Sequence, residues 1–188
     1  EVADQAALLK NFLRALALRN NKLVTFMPRW SEQADSQSSH IHMSMKNASG
    51  DSVFFDDSAA HQMSDICRHF VGGLQRHMGE LVLMSAPTVN SYRRFAPGTF
   101  APPGLTWGFE NRTAAFRTVG HDAGSVRVEN RLPGSDANPY LSVAATLAAG
   151  MAGIEGAIEP ADEVLGNGYA REPQDGEDFP PTLTDAIA

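Results

Sequence analysis

Ser125-Val126-Arg127-Val128-Glu129-Asn130-Arg131-Leu132 is the stretch that decides the fold. Its residues alternate in character with a period of two, which is the side-chain period of a strand. Val126, Val128 and Leu132 fall on one side, and Arg127, Glu129 and Arg131 form a charged row on the other. Thr113 to Val119 just before it also reads as a strand, and Gly120-His121-Asp122-Ala123-Gly124 between them has turn composition, so the two are expected to pair as a hairpin. The charged row has two open readings. It is either a surface ladder of ion pairs worth little to stability or a place where a divalent cation bridges phosphate. The apolar neighbours Val126, Val128 and Leu132 argue against a freely exposed strand.

Working outward, His40 to Lys46 alternates in the same way, with His40, His42, Ser44 and Lys46 on one side and Ile41, Met43 and Met45 on the other. Two histidines two residues apart on a strand share a face, where they either decorate it or hold a metal with a carboxylate partner. A turn at Asn47 to Asp51 and the apolar Val53-Phe54-Phe55 suggest a returning strand. Ala6, Leu9, Leu13 and Leu16 have helical spacing up to Asn20-Asn21; Lys22 to Met27 is a short β-prone run ended by Pro28; Ser31 to Ser39 reads as loop. Ser64 caps a helix carrying Ile66, Phe70, Leu74, Met78 and Leu81 toward Pro87, and Asn138-Pro139 starts an alanine-rich helix reaching about Ile158. From Asn90 to Gly108 prolines and glycines preclude long regular structure, and such loops commonly serve a site. The tail is acidic and punctuated by Pro and Gly. Together these predict an α+β domain, an antiparallel β-sheet flanked by helices.

The chain has 188 residues, 43% hydrophobic and 20% charged, enough for one domain with a sizeable core. A net charge of −7 argues against broad binding to nucleic acid or an anionic membrane. Cys67 is the single cysteine, so no internal disulfide forms, and no apolar run approaches membrane-spanning length; a cytoplasmic setting is expected. The chain begins without Met, directly on a helical pattern, and is read as a piece of something longer. Of its twelve arginines six lie between Arg93 and Arg131, a window without lysine whose acids are Glu110, Asp122 and Glu129. Guanidinium groups grip carboxylates and phosphates bidentately, so this basic island suggests a small anionic ligand. Arg112 is placed in the loop before the Thr113 strand, and only one of the adjacent Arg93 and Arg94 is expected to face a site.

The order of motifs resembles one family. His40-Ile-His42-Met-Ser44, Asn90-Ser-Tyr-Arg-Arg94-Phe-Ala-Pro97-Gly98, Asn111-Arg112-Thr, Arg127-Val-Glu129-Asn-Arg131 and Asp136-Ala-Asn138-Pro139-Tyr140 are similar, in sequence and in order, to the catalytic domain of glutamine synthetase. The resemblance covers nearly the whole chain and implies that residues 1–188 are a partial catalytic domain, lacking an amino-terminal β-grasp-like domain, the early metal-binding carboxylates and the final helices. It further implies that His40 and Glu129 are metal ligands for Mg2+ or Mn2+, that His42 and Ser44 lie at ATP, and that Arg117 and Arg127 clamp its phosphates. Arg94 and Arg131 would bind the substrate acid, and Arg112 would act on the transferred phosphoryl group. The family's active sites are shared between subunits of a homo-oligomeric ring, so the fragment alone is expected to be inactive.

Two departures bear on substrate. Where the family carries a glutamate six residues after the substrate arginine, this chain has Phe100, and an aromatic ring cannot bind or deprotonate ammonium. Ala34-Asp35-Ser36-Gln37-Ser38-Ser39 replaces a glycine-containing segment that shapes the glutamate pocket. The leading expectation is therefore an ATP-dependent ligase joining glutamate, or a similar acid, to an organic amine. Ordinary glutamine formation from ammonia and a non-catalytic homologue are the alternatives.

Overall fold

The computed structural model describes all residues except Pro97, Glu172, Pro173 and Asp175. Helix α1 (Val2–Arg19) is followed by strand β1 (Ile41–Met43), helix α2 (Asp65–His77), the short α3 (Val89–Arg93), strands β2 (Trp107–Phe109), β3 (Phe116–Val119) and β4 (Arg127–Asn130), helix α4 (Pro139–Glu155) and the short α5 (Leu183–Ile187). The four strands form one sheet in the order β1-β4-β3-β2. The expected hairpin is present, with β3 and β4 antiparallel and Arg117 opposite Glu129, and β1 pairs antiparallel with the far side of β4. The sheet is mixed rather than wholly antiparallel, because β2 runs parallel to β3.

The apolar side of the sheet, Phe116 and Val128 with Leu132 beyond the strand end, is covered by α2, and α4 packs on the back of α2. Both helices start where capping chemistry places them. Ser64 accepts from the Cys67 amide, and Asn138 accepts from the Tyr140 and Leu141 amides with Pro139 at the first turn. Phe70, Leu74 and Met78 are fully buried against Phe54, Phe116 and Val128. Glycine lets the two helices meet: Gly73 and Gly153 face each other, and a Cβ built on Gly73 would lie 2.2 Å from the Ala149 carbonyl oxygen.

Three expected elements differ. Lys22 to Met27 is not a strand, because no neighbour offers it a ladder, and Leu23 is almost fully exposed. The strand expected over His40 to Lys46 is regular only from Ile41 to Met43, continuing as an isolated bridge between Lys46 and Ser52. The chain does return antiparallel, the Val53 amide donating to the Met45 carbonyl at 3.0 Å, but Val53 to Phe55 forms no regular strand, and Ser64 Oγ donates to the Val53 carbonyl at 2.6 Å, joining this segment to the start of α2.

Candidate functional site

The polar side of the sheet gathers two arginines of the basic island, Arg117 and Arg131, around one carboxylate, with Arg127 nearby. Strand register sets His42 and Arg117 on either side of Glu129, and the two-residue period brings His40 and Arg131 alongside. Glu129 Oε1 accepts from His40 Nδ1 at 2.9 Å and from Arg131 Nη1 at 3.1 Å, while Oε2 accepts from Arg117 Nη1 at 3.1 Å. His42 Nε2 stands 3.7 Å from Oε1. A carboxylate only 3% exposed would be costly to bury alone; here its lone pairs are met. Burial pushes its pKa up, but the His40 hydrogen bond and the Arg131 and Arg117 guanidinium groups outweigh that and hold it at about 2. Because the folded value lies below the ordinary 4.5, this cluster stabilises the fold fully above about pH 4.5 and loses that contribution as pH falls toward 2. Acid unfolding followed by circular dichroism should accordingly depend less steeply on pH over that window in Glu129→Gln than in the wild type.

Arg117 is shared. Its other nitrogen, Nη2, donates to Glu110 at 2.5 Å, just past the end of β2. Burial lowers the Arg117 pKa, but the Glu110 and Glu129 hydrogen bonds reverse this, so the net shift is upward. Sequence reasoning counted Glu110 only as a charge. Its signal was position, the residue before Asn111-Arg112 at the end of a short apolar run.

Arg127 Nε donates to His42 Nδ1 at 3.3 Å, which assigns the ring proton of a neutral imidazole to Nε2. Burial lowers the His42 pKa more than Glu129 raises it, in keeping with that neutral form. Ser44 lies exposed two residues further along the same face. His42, Ser44 and Arg127 thus form the open rim of the cluster.

The other predicted residues stand outside this contact set. Arg112 lies, as expected, in the loop between β2 and β3, with its side chain exposed. Its neighbours are the anchors: Asn111 Nδ2 donates to the Val164 carbonyl at 2.7 Å, and Thr113 Oγ1 accepts from the Gly168 amide at 2.8 Å. Arg94 is 1% exposed, and its Nη1 and Nη2 donate to the Leu132 and Arg131 carbonyls at 2.7 and 2.8 Å. Burial, reinforced by Arg131, brings its pKa down to about 10. It therefore reaches the cluster through the main chain of Arg131 rather than through its own guanidinium. Phe100 is 67% exposed and sits at φ 60°, a left-handed backbone that costs a non-glycine residue of order 1–2 kcal/mol.

His40 Nδ1 and Glu129 Oε1 supply one nitrogen and one oxygen donor aimed at each other, a donor pair suited to a divalent cation in place of the shared proton. Among the described residues no group of three or more His, Cys, Asp or Glu is arranged to hold a metal, so this pair would supply only two of the donors such a cation takes.

Comparison with known proteins identifies the family. The family model described as glutamine synthetase, catalytic domain, matches residues 1–188. Gamma-glutamylethanolamide synthetase of Streptomyces coelicolor is 42% identical over 183 residues, covering 97% of this chain and 38% of that protein. Glutamate–isopropylamine ligase of a Pseudomonas species is 36% identical over 174 residues, covering 93% of this chain and 38% of its own. The solved structure described as apo GmaS without ligand superposes with a TM-score of 0.85 at 36% identity, covering 98% of this chain and 42% of that one. The chain thus spans about two fifths of the length of the relatives it matches.

Proposed function

Because this chain belongs to the glutamine synthetase family, we propose that it supplies part of the active site of an ATP-dependent ligase that joins the γ-carboxyl of glutamate, or of a similar acid, to an organic amine. The convergence of His40, Arg117 and Arg131 on Glu129, with His42 and Arg127 at its rim, is the observation that carries this reading. In phosphoryl transfer negative charge spreads over several oxygens, and fixed cations stabilise it without reorganising. Arg117 is held by two carboxylates and Arg127 by His42, so both present guanidinium groups already oriented for phosphate oxygens.

In the proposed sequence the γ-carboxylate attacks the terminal phosphorus of ATP, releasing ADP and leaving γ-glutamyl phosphate. The amine then displaces phosphate to give the amide, losing a proton. His42, neutral with its proton on Nε2, donates a hydrogen bond to a phosphate oxygen. Arg131, fixed by Glu129 and at its carbonyl by Arg94, holds the acid's carboxylate, and exposed Arg112 meets the transferred phosphoryl group. A divalent cation, Mg2+ or Mn2+, held by His40 and Glu129, would supply neutralisation of phosphate charge. The charge and cysteine content fit a cytoplasmic enzyme, and a ring of subunits would complete each site.

Phe100 supports an organic amine over ammonia, since a ring at the acceptor side offers apolar contact and no charge. Two relatives carry names that specify such amines, ethanolamine and isopropylamine. The test is ADP release by the full-length enzyme with ammonia and with a panel of alkyl amines. Organic amines are expected to be the better acceptors, and Phe100→Glu is expected to raise kcat/KM for ammonia by about tenfold, a barrier change of about 1.4 kcal/mol. Ammonia emerging as the best acceptor of the wild type would overturn the reading.

A further inference from the structure

The two peptide units that flank Phe100 are each tied to a different part of the chain. Ser36 Oγ donates to the Thr99 carbonyl at 2.6 Å, and Tyr169 Oη donates to the Phe100 carbonyl at 2.9 Å. Ser36 belongs to the segment before β1, and Tyr169 to the turn after α4, so the tethers approach from segments far apart in sequence. The Tyr169 oxygen also lies 3.4 Å from the Arg112 carbonyl, a weaker second acceptor for its single proton. The turn that carries Tyr169 is clamped to the Arg112 loop by Asn111 and Thr113. On its inner side Thr99 Oγ1 donates to the Ala96 carbonyl at 2.7 Å and to that of Arg94, the residue whose guanidinium holds the Arg131 carbonyl.

A bulky side chain at positive φ does not stay there unless its surroundings hold it. Here the holding is done by hydroxyls on consecutive carbonyls, which fix the orientation of both peptide planes and hence the direction in which the Phe100 side chain leaves the backbone. From this we propose that Ser36 and Tyr169 are positioning residues that set the presentation of Phe100 toward the acceptor amine. This rests on the amine-ligase reading. Neither hydroxyl touches a reacting atom. Their effect is exerted through Phe100, so they govern capture of the amine and retention of the acyl phosphate, not use of ATP.

Tyr169→Phe removes the donor and keeps the ring. In the full-length enzyme it is expected to raise KM for the preferred amine by about fivefold, the scale of one hydrogen bond. KM for ATP should stay unchanged, and more ADP should be released per amide formed. Ser36→Ala should shift both quantities in the same direction. A merely structural role would lower kcat and yield together, without splitting the two KM values. Hydrogen exchange at the amides of residues 98–101 provides a readout independent of turnover and should quicken in either variant. Unchanged exchange, or unchanged amine KM and coupling in an enzyme whose wild type uses organic amines, overturns the proposal. A wild type that prefers ammonia would instead sink the amine-ligase reading, while the exchange measurement still decides the tether.

Discussion

Glu129→Gln in the full-length enzyme is expected to lower ATP-dependent turnover at least 100-fold, roughly 3 kcal/mol of barrier. The substitution keeps the shape of the side chain and removes its charge. His40, Arg117 and Arg131 now face an amide whose nitrogen can only donate, toward groups that also donate. The proposed cation would lose its oxygen ligand, and of the two carboxylates on Arg117 only that of Glu110 would remain. Initial rates of ADP formation across a series of Mg2+ and Mn2+ concentrations check this. Activity within a few fold of wild type at ordinary metal concentration would show that the convergence on Glu129 is an ion-pair ladder and nothing more.

Gly73→Ala is the largest expected effect on stability. The added methyl would lie 2.2 Å from the Ala149 carbonyl oxygen and 2.6 Å from the Gly153 Cα, both main-chain atoms of α4 that cannot rotate aside. Separating α2 from α4 loosens the contacts of Phe70 and Leu74, and overpacking of this kind costs about 3 kcal/mol. For a chain of 188 residues that corresponds to a fall in Tm of about 6–12 °C, measurable by calorimetry. A Tm within 2 °C of the wild type would mean that the helix crossing has slack which the packing does not show.

The parts of the molecule that could be read from the sequence are those in which local chemistry and tertiary environment agree. Ser64 and Asn138 cap helices because their side chains satisfy free amides wherever the helix goes. The rows His40, His42 and Arg127, Glu129, Arg131 could be read because a strand's period of two is independent of its partners, and the β1–β4 register then brings the rows together. What depended on partners was not legible. Lys22 to Met27 has strand composition but no ladder to join, and β2 hides in a stretch whose prolines and glycines preclude long elements yet allow three residues of pairing. Glu110 was overlooked because its approach to Arg117 depends on the pairing of β2 with β3, which its sequence neighbours do not indicate. That only one of Arg93 and Arg94 could face a site was legible, but that the Arg94 guanidinium is taken up by the Leu132 and Arg131 carbonyls depends on where β4 ends.

The pairing of β2 with β3 has a consequence for how the Arg112 loop can vary. Strands that run the same way usually need a crossover of a dozen residues or more, and here only residues 110 to 115 separate them. So short a return behaves as a spacer of fixed length. One residue more or fewer would swing the Arg112 guanidinium away from its bearing, whereas extra residues among Asp122 to Gly124, the exposed tip of the hairpin beyond His121, would extend into solvent.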